Sequence, residues 1–379
     1  MYTQELTAKD LDSSGLHALL GDADPIGVLS IFVDGAADGR ATAIDIQNRL
    51  AQLERAVTDD GPPERAAALS EAFARSAPRL ERLHDPGARG RGRALFTPLS
   101  GSMPTLFSTQ LRLPNRVVLD DRPFVHPLLE SLDRGRAAGV ILISRDSAEV
   151  LEWRHGELII LARIESRPDH LRERHRPATG RHARRSRGHH LRFTDRVATE
   201  ALSHVATRGW ERAVISGDDR LTQPLIQVLP TPLRHHTIRD RRQLMDRDTP
   251  ALAEIVRRLV DRQQTQWDLT LTTEIRDCAM AGGAGALGVS EVLAALNDAR
   301  VMHLIYDPQI RYAGFIAEDG QLLNAPEQQP MHERVFAEPR MTERMVERCL
   351  ETGARITPVN GAASTVLADA GGVAARLRW

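Results

Sequence analysis

The segment Pro177-Ala-Thr-Gly-Arg-His-Ala-Arg-Arg-Ser-Arg-Gly-His-His-Leu-Arg-Phe193 decides how this chain is read. Between Arg167 and Arg196 ten arginines stand against three acids, Asp169, Glu173 and Asp195, and five histidines share the run. A phosphate backbone attracts such a segment strongly, and salt weakens the attraction. A solvated, unstructured loop is the plain alternative, but the setting argues for function. Upstream, GVILIS from Gly139, then EVLEW and LIILARI, form three closely spaced strand patterns that predict a meander. Downstream, the spacing predicts a helix over Phe193–Thr207, a strand AVISG at 213–217 and a helix around Leu221–Val228. A basic loop at 177–193 on so rigid a scaffold can reach into an RNA cavity without a fold of its own.

Working outward, Ile26–Val33 (IGVLSIFV) reads as a buried strand ending at Asp34-Gly35. Helical patterns follow over Thr42–Val57 and Pro63–Leu83, and residues 94–119 read as strands broken by Gly, Ser and Pro, closing a first domain near Ser131. A polar stretch, His235–Asp248, separates the middle from the last region. There Leu252, Ile255, Val256, Leu259 and Val260 recur at helical spacing after Thr249-Pro250. A helix at Val289–Ala299, a strand at Val301–Tyr306, a helix at Met341–Thr352 and a strand at Arg355–Pro358 alternate as α/β layers do. The expectation is an α/β protein of three domains with mixed sheets: 1–134, 135–247 and 248–379.

At 379 residues, 41% hydrophobic and 27% charged, the composition suits two or three globular domains. The net charge of −1 hides the uneven placement of the cations, nearly all arginine; Lys9 is the only lysine. High-GC codon usage accounts for the arginine preference but not for its clustering. Cys278 and Cys349 offer neither a disulfide framework nor a metal quartet. No apolar run approaches membrane-helix length, and MYTQELTAKDLDSSG has no secretory character, so the expected location is cytoplasmic with no membrane partner.

Several patterns imitate other chemistry. Gly283, Gly285 and Gly288 satisfy G-x-G-x-x-G, yet LTLTTEIRDCAMA before them is helix-like, where a dinucleotide site needs a buried strand. The histidines of the basic run lack metal-ligand spacing and sit among arginines that repel a cation. Asp218-Asp219 reads as a turn rather than a metal-binding pair. No cofactor and no metal are expected.

Ser186-Arg-Gly-His-His-Leu-Arg-Phe193 resembles the basic loop that precedes a long helix in the archaeal and eukaryotic class-1 peptide release factors and Pelota. Thr42-Ala-Ile-Asp-Ile-Gln-Asn-Arg49 is similar to that family's Asn-Ile-Lys-Ser stretch. Gly285-Ala-Leu-Gly-Val-Ser-Glu-Val-Leu-Ala-Ala-Leu with VMHLIYD, and the closing Leu367–Trp379, resemble its third domain, and Leu113–Leu129 looks like a signature of its bacterial branch. The resemblance implies an RNase H-like middle domain and an L7Ae-like α/β/α sandwich at the C-terminus. It implies a ribosomal A-site ligand, a monomer touching 16S and 23S rRNA, with elongation factor Tu as a partner. Asp45, Ile46, Gln47, Asn48 and Arg49 would face the decoding centre; Arg181, Arg184, Arg185, Arg187, Gly188, His189, His190 and Arg192 would face the peptidyl transferase centre. Two family motifs are altered: Gln47 stands for the decoding lysine, and His189-His190 for the Gly-Gln of the hydrolytic Gly-Gly-Gln. That pairing implies a hibernation or inactivation factor with no catalytic residue. The alternative is a rescue factor that hydrolyses peptidyl-tRNA with His189 or His190.

Overall fold

A computed structural model describes residues 4–8, 10, 13–21, 23–35, 38–85, 87–88, 90–166, 180–326 and 334–379. Contacts divide the chain into two units, residues 1–133 with 264–379, and residues 134–263.

The first unit opens with β1 (Gln4–Thr7), α1 (Ser13–Gly21), β2 (Val28–Asp34), α2 (Gly39–Asp60), α3 (Pro63–His84), β3 (Gly92–Pro98), β4 (Thr105–Thr109), β5 (Arg116–Asp120) and α4 (His126–Arg134). Its strands form a mixed sheet in the order β1-β4-β3-β2-β5. The period-2 pattern of β2 sorts the two faces. Leu29, Ile31 and Val33 pack with Ile46, Leu69, Ala72 and Leu83 beneath α2 and α3. Val28 and Phe32 turn the other way, into a core shared with Leu16, Leu19 and Leu20 of α1 and Leu128 of α4.

The middle stretch of the chain forms β6 (Ala138–Ile143), β7 (Ser147–Arg154), β8 (Glu157–Glu165), α5 (Gly180–Arg208), β9 (Arg212–Ser216), α6 (Asp219–Val228), α7 (Thr231–His235) and β10 (Thr237–Asp240). The sheet order is β10-β9-β6-β7-β8. β7 runs antiparallel to both neighbours, and β6, β9 and β10 are parallel, the arrangement of an RNase H-like sheet. Gly139 of β6 has no room for a side chain, because a Cβ there would lie 2.1 Å from the Trp210 ring.

The rest of the chain supplies α8 (Thr249–Met280), β11 (Gly285–Leu287), α9 (Gly288–Asn297), β12 (Val301–Tyr306), β13 (Gly314–Ala317), β14 (Leu322–Leu323), β15 (Val335–Glu338), α10 (Met341–Glu351), β16 (Arg355–Pro358), α11 (Ala362–Val366) and β17 (Val373–Leu377). The order β11-β17-β12-β16 makes a sheet with helices on both faces. Leu304, Tyr306, Val373 and Ala375 face Val292 and Leu296 of α9 and Met345 of α10, while Ile305 and Ala374 face Ile275 of α8 and Ala363 of α11. This is the α/β/α sandwich. The core containing Leu304 and Met345 is continuous with the one containing Phe32 and Leu128, so both ends of the chain fold around one interior.

Two elements differ from expectation. The loop expected at 177–193 is helical from Gly180; the alanine, leucine and arginines of this stretch favour helix, and its serine, histidines and Gly188 less so. The polar stretch 235–248 holds β10, whose Ile238 is buried beside β9. The glycine-rich segment follows the C-terminal end of α8, a helix, so the buried strand that a dinucleotide fingerprint requires is replaced.

Candidate functional site

Helix α5 is built in two parts. From Phe193 onward the apolar positions Phe193, Val197, Ala198 and Ala201 recur at i, i+4, i+5 and i+8, and all pack against Ile141, Ile143 and Val150 of the sheet. Arg196 Nη1 donates to the Glu165 carbonyl at the end of β8, at 3.3 Å. At the far end Glu152, buried in β7, accepts from Trp210 Nε1 at 3.1 Å and pairs with Arg154 at 3.2 Å. Arg154 also donates to the Arg208 carbonyl, which closes the last turn. The half of α5 after Phe193 is therefore fixed to the sheet. Before Phe193 the apolar stripe stops: Leu191 is 53% exposed and Arg192 is exposed.

Arg181, Arg184, Arg185, Arg187, Gly188, His189 and His190 occupy the first turns of this helix, continuous with the anchored part.

The second set, Asp45 to Arg49, lies in the N-terminal half of α2. Asp38 caps that helix, accepting from the Arg40 amide at 2.9 Å. Ile46, Leu50, Leu53 and Val57 form its core stripe. Ile46 is wholly buried, which corrects its place among the partner-facing residues: its side chain holds the helix to the sheet. Asp45 is half-buried, and Gln47, Asn48 and Arg49 are exposed. Arg49 Nε donates to Asp45 at 2.9 Å.

The remaining sequence candidates have structural roles. Asp218 caps α6 through the Arg220 amide, and Asp219 pairs with Arg241 at 3.0 Å. Among the described residues no group of three or more His, Cys, Asp or Glu could hold a metal ion, and no helix is long and apolar enough to cross a membrane.

The segment Leu113–Leu129 carries contacts that its sequence did not disclose. His126 Nδ1 lies 2.6 Å from the Tyr306 hydroxyl and its Nε2 lies 3.2 Å from Glu343. Arg340 pairs with Asp120 and Asp121, and Arg122 pairs with Glu347. The signature is thus a seam that joins the first sheet to α10 and β12. Arg116, at the start of β5, packs its guanidinium over the Phe124 ring, 4.6 Å from the centroid. Burial lowers its pKa, as do the like charges of Arg311 and Arg49, against an opposing pull from Glu343.

Residues 123–264 match the model of the bacterial archaeo-eukaryotic release factor family 10, and the chain is release-factor-like over that stretch, which includes the whole sheet β6–β10 and α5. No curated protein matches the sequence. An archaeal translation termination factor is similar over 99% of this chain and 99% of its own, at 19% identity and a TM-score of 0.27. Archaeoglobus fulgidus Pelota covers 76% of this chain and 79% of its own at 12% identity, TM-score 0.34. A model of ribosome-bound archaeal Pelota and ABCE1 is similar over 74% of this chain and 73% of its own at 14% identity, TM-score 0.42.

Proposed function

We propose that this protein is a translation factor that enters the vacant A site of the ribosome and holds it idle, close in role to the hibernation factor Balon. The observation that carries this reading is the basic start of α5, an arginine-rich helix inside the family-matched stretch; by the resemblance of its sequence, Gly188-His189-His190 would stand where release factors bear Gly-Gly-Gln. The glutamine amide that places water for peptidyl-tRNA hydrolysis is absent, so the helix fills the site without reacting in it. Residues 1–134 would face the decoding region through Gln47, Asn48 and Arg49, residues 135–247 would carry the basic segment toward 23S rRNA, and residues 248–379 would meet a translational GTPase, elongation factor Tu in this reading. The protein acts as a monomer in the cytoplasm, with rRNA phosphates as its main contacts.

Two measurements test this together. Cosedimentation with ribosomes at graded KCl is expected to show binding that weakens steeply with salt; binding absent or indifferent to salt would refute it. Labelled peptidyl-tRNA on stalled ribosomes is expected to stay intact. Peptide release that disappears in His189→Ala or His190→Ala would instead establish the rescue-factor alternative.

A further inference from the structure

The last turns of α5 and the end of β7 enclose an open cleft of about 550 Å³, lined by Glu152, Arg154, His204, Thr207 and Arg208. It lies wholly within residues 134–263, at the opposite end of α5 from the basic start. One carboxylate serves two guanidinium groups here. Glu152 Oε1 lies 3.2 Å from Arg154 Nε and 3.7 Å from Arg208 Nη1, while Oε2 accepts from Trp210 Nε1 at 3.1 Å. The lining therefore sets two positive charges against one negative charge. Two other carboxylates stand outside it: Glu200, which meets His204 Nε2 at 3.2 Å, and Glu157, opposite Arg154 in the ladder of β7 and β8.

Burial separates the charged partners. The Glu152 side chain is 6% exposed and forms the floor, whereas those of Arg154 and Arg208, 38% and 41% exposed, form the rim. Arg154 uses Nε on Glu152 and Nη2 on the Arg208 carbonyl. The second contact covers a carbonyl at the negative end of the helix, where an anion would otherwise be repelled. Arg208 is too far from Glu152 for a hydrogen bond, and among the described residues its guanidinium donates none.

We infer that this cleft binds a phosphate of an RNA backbone, held by Arg208 and the remaining Nη group of Arg154. Planar guanidinium forks match pairs of phosphate oxygens, and a buried carboxylate between two of them sets their spacing before a ligand arrives. The lining has no Phe, Tyr or Trp on which a base could stack, so the site takes the backbone without regard to sequence. RNA as the source of the phosphate rests on the ribosome-binding reading above. The contact holds the far end of α5 to RNA and so fixes the direction in which the basic start of that helix points.

The test follows the indole Nε1–H signal of Trp210 by nuclear magnetic resonance, in full-length protein with isotopically labelled tryptophan; loss of the signal in Trp210→Phe assigns it. The probes are oligouridylate, the same oligomer with uncharged methylphosphonate linkages, inorganic phosphate and polyglutamate. Oligouridylate is expected to shift the signal saturably, and the uncharged oligomer to leave it in place. Arg208→Gln is expected to abolish the shift. It is also expected to make the slope of log K against log[KCl] for oligouridylate shallower by about 0.7, the value for one phosphate contact to a single strand. Arg208→Lys keeps the charge and is expected to keep the slope, and Arg154→Gln repeats the loss from the side of the strand. No shift with oligouridylate, a shift that survives Arg208→Gln, or one equalled by the uncharged oligomer or by polyglutamate would overturn the site. A shift with inorganic phosphate alone would keep the phosphate site and overturn RNA as its source. Cosedimentation with ribosomes, run in parallel, separates this site from the reading above. Ribosome binding with a silent Trp210 removes the site and leaves that reading; a responsive Trp210 without ribosome binding keeps the site and removes the reading.

Discussion

His126 Nδ1 and the Tyr306 hydroxyl, 180 positions apart in sequence, meet at 2.6 Å inside one core. The bond ties the start of α4 to the last residue of β12. Both side chains are buried, His126 at 5% and Tyr306 at 0% exposure, so water cannot replace a lost partner. Tyr306→Phe removes the hydroxyl and leaves Nδ1 alone. It is expected to cost about 1–3 kcal/mol, read as a lower urea midpoint with an unchanged far-ultraviolet spectrum.

The ion pair of Arg340 with Asp120 is the neighbouring stitch. Asp120 is buried, and Arg340 also pairs with Asp121. Arg340→Gln leaves the Asp120 carboxylate without its cation. The expected loss is on the order of 2 kcal/mol, below the figure for a fully enclosed pair because Arg340 is partly exposed. Thermal melting of the variant reads it, and the double variant Arg340→Gln with Asp120→Asn is expected to recover part of the loss.

Cys349 sets an alkaline limit. Its thiol is buried against α9 and β16, and burial pushes it from an ordinary 9.0 up to about 12. A group raised on folding contributes stability that is complete below its unfolded pKa and is lost as pH rises through the folded one. Stability is therefore expected to hold to about pH 9 and fall toward pH 12, with Cys349→Ala flattening part of that decline. Tyr306, also raised by burial, retains the rest. Below pH 9 a thiol reagent is expected to label Cys278, which is half-exposed, and spare Cys349.

Much of the fold was legible because burial leaves a trace of apolar residues. The apolar run Ile26–Val33 marks β2 in the sequence itself, while the division of its side chains between two cores emerges only from the packing. The first turns of α5 leave no such trace, since their sequence is charged and polar and shows no apolar period until Phe193. Strand β10 was invisible for the opposite reason. Its four residues contain one apolar side chain, Ile238, and their extended state comes from parallel pairing with β9. In the candidate surfaces, Gln47 and Asn48 could be marked from a motif, but Ile46 could not be assigned to the core without the α2–sheet packing.

Helix α2 offers a clean separation of packing from recognition. Ile46→Ala empties a fully buried position and is expected to destabilise by about 2–5 kcal/mol. Gln47→Ala and Asn48→Ala, both exposed, are expected to change stability by no more than about 0.5 kcal/mol. Ribosome affinity is expected to show the reverse order: weakened by the exposed substitutions, and unchanged for the folded fraction of Ile46→Ala. Chemical denaturation beside cosedimentation resolves the two orders.

The most direct test is an electron cryomicroscopy map of the full-length protein on ribosomes from its own source. The expected density places residues 180–192 of α5 at the peptidyl transferase centre of the large subunit and residues 45–49 of α2 at the decoding region of the small one, with no aminoacyl-tRNA in the A site. Density outside the A site, or an A-site complex with α5 turned away from the peptidyl transferase centre, would contradict the account.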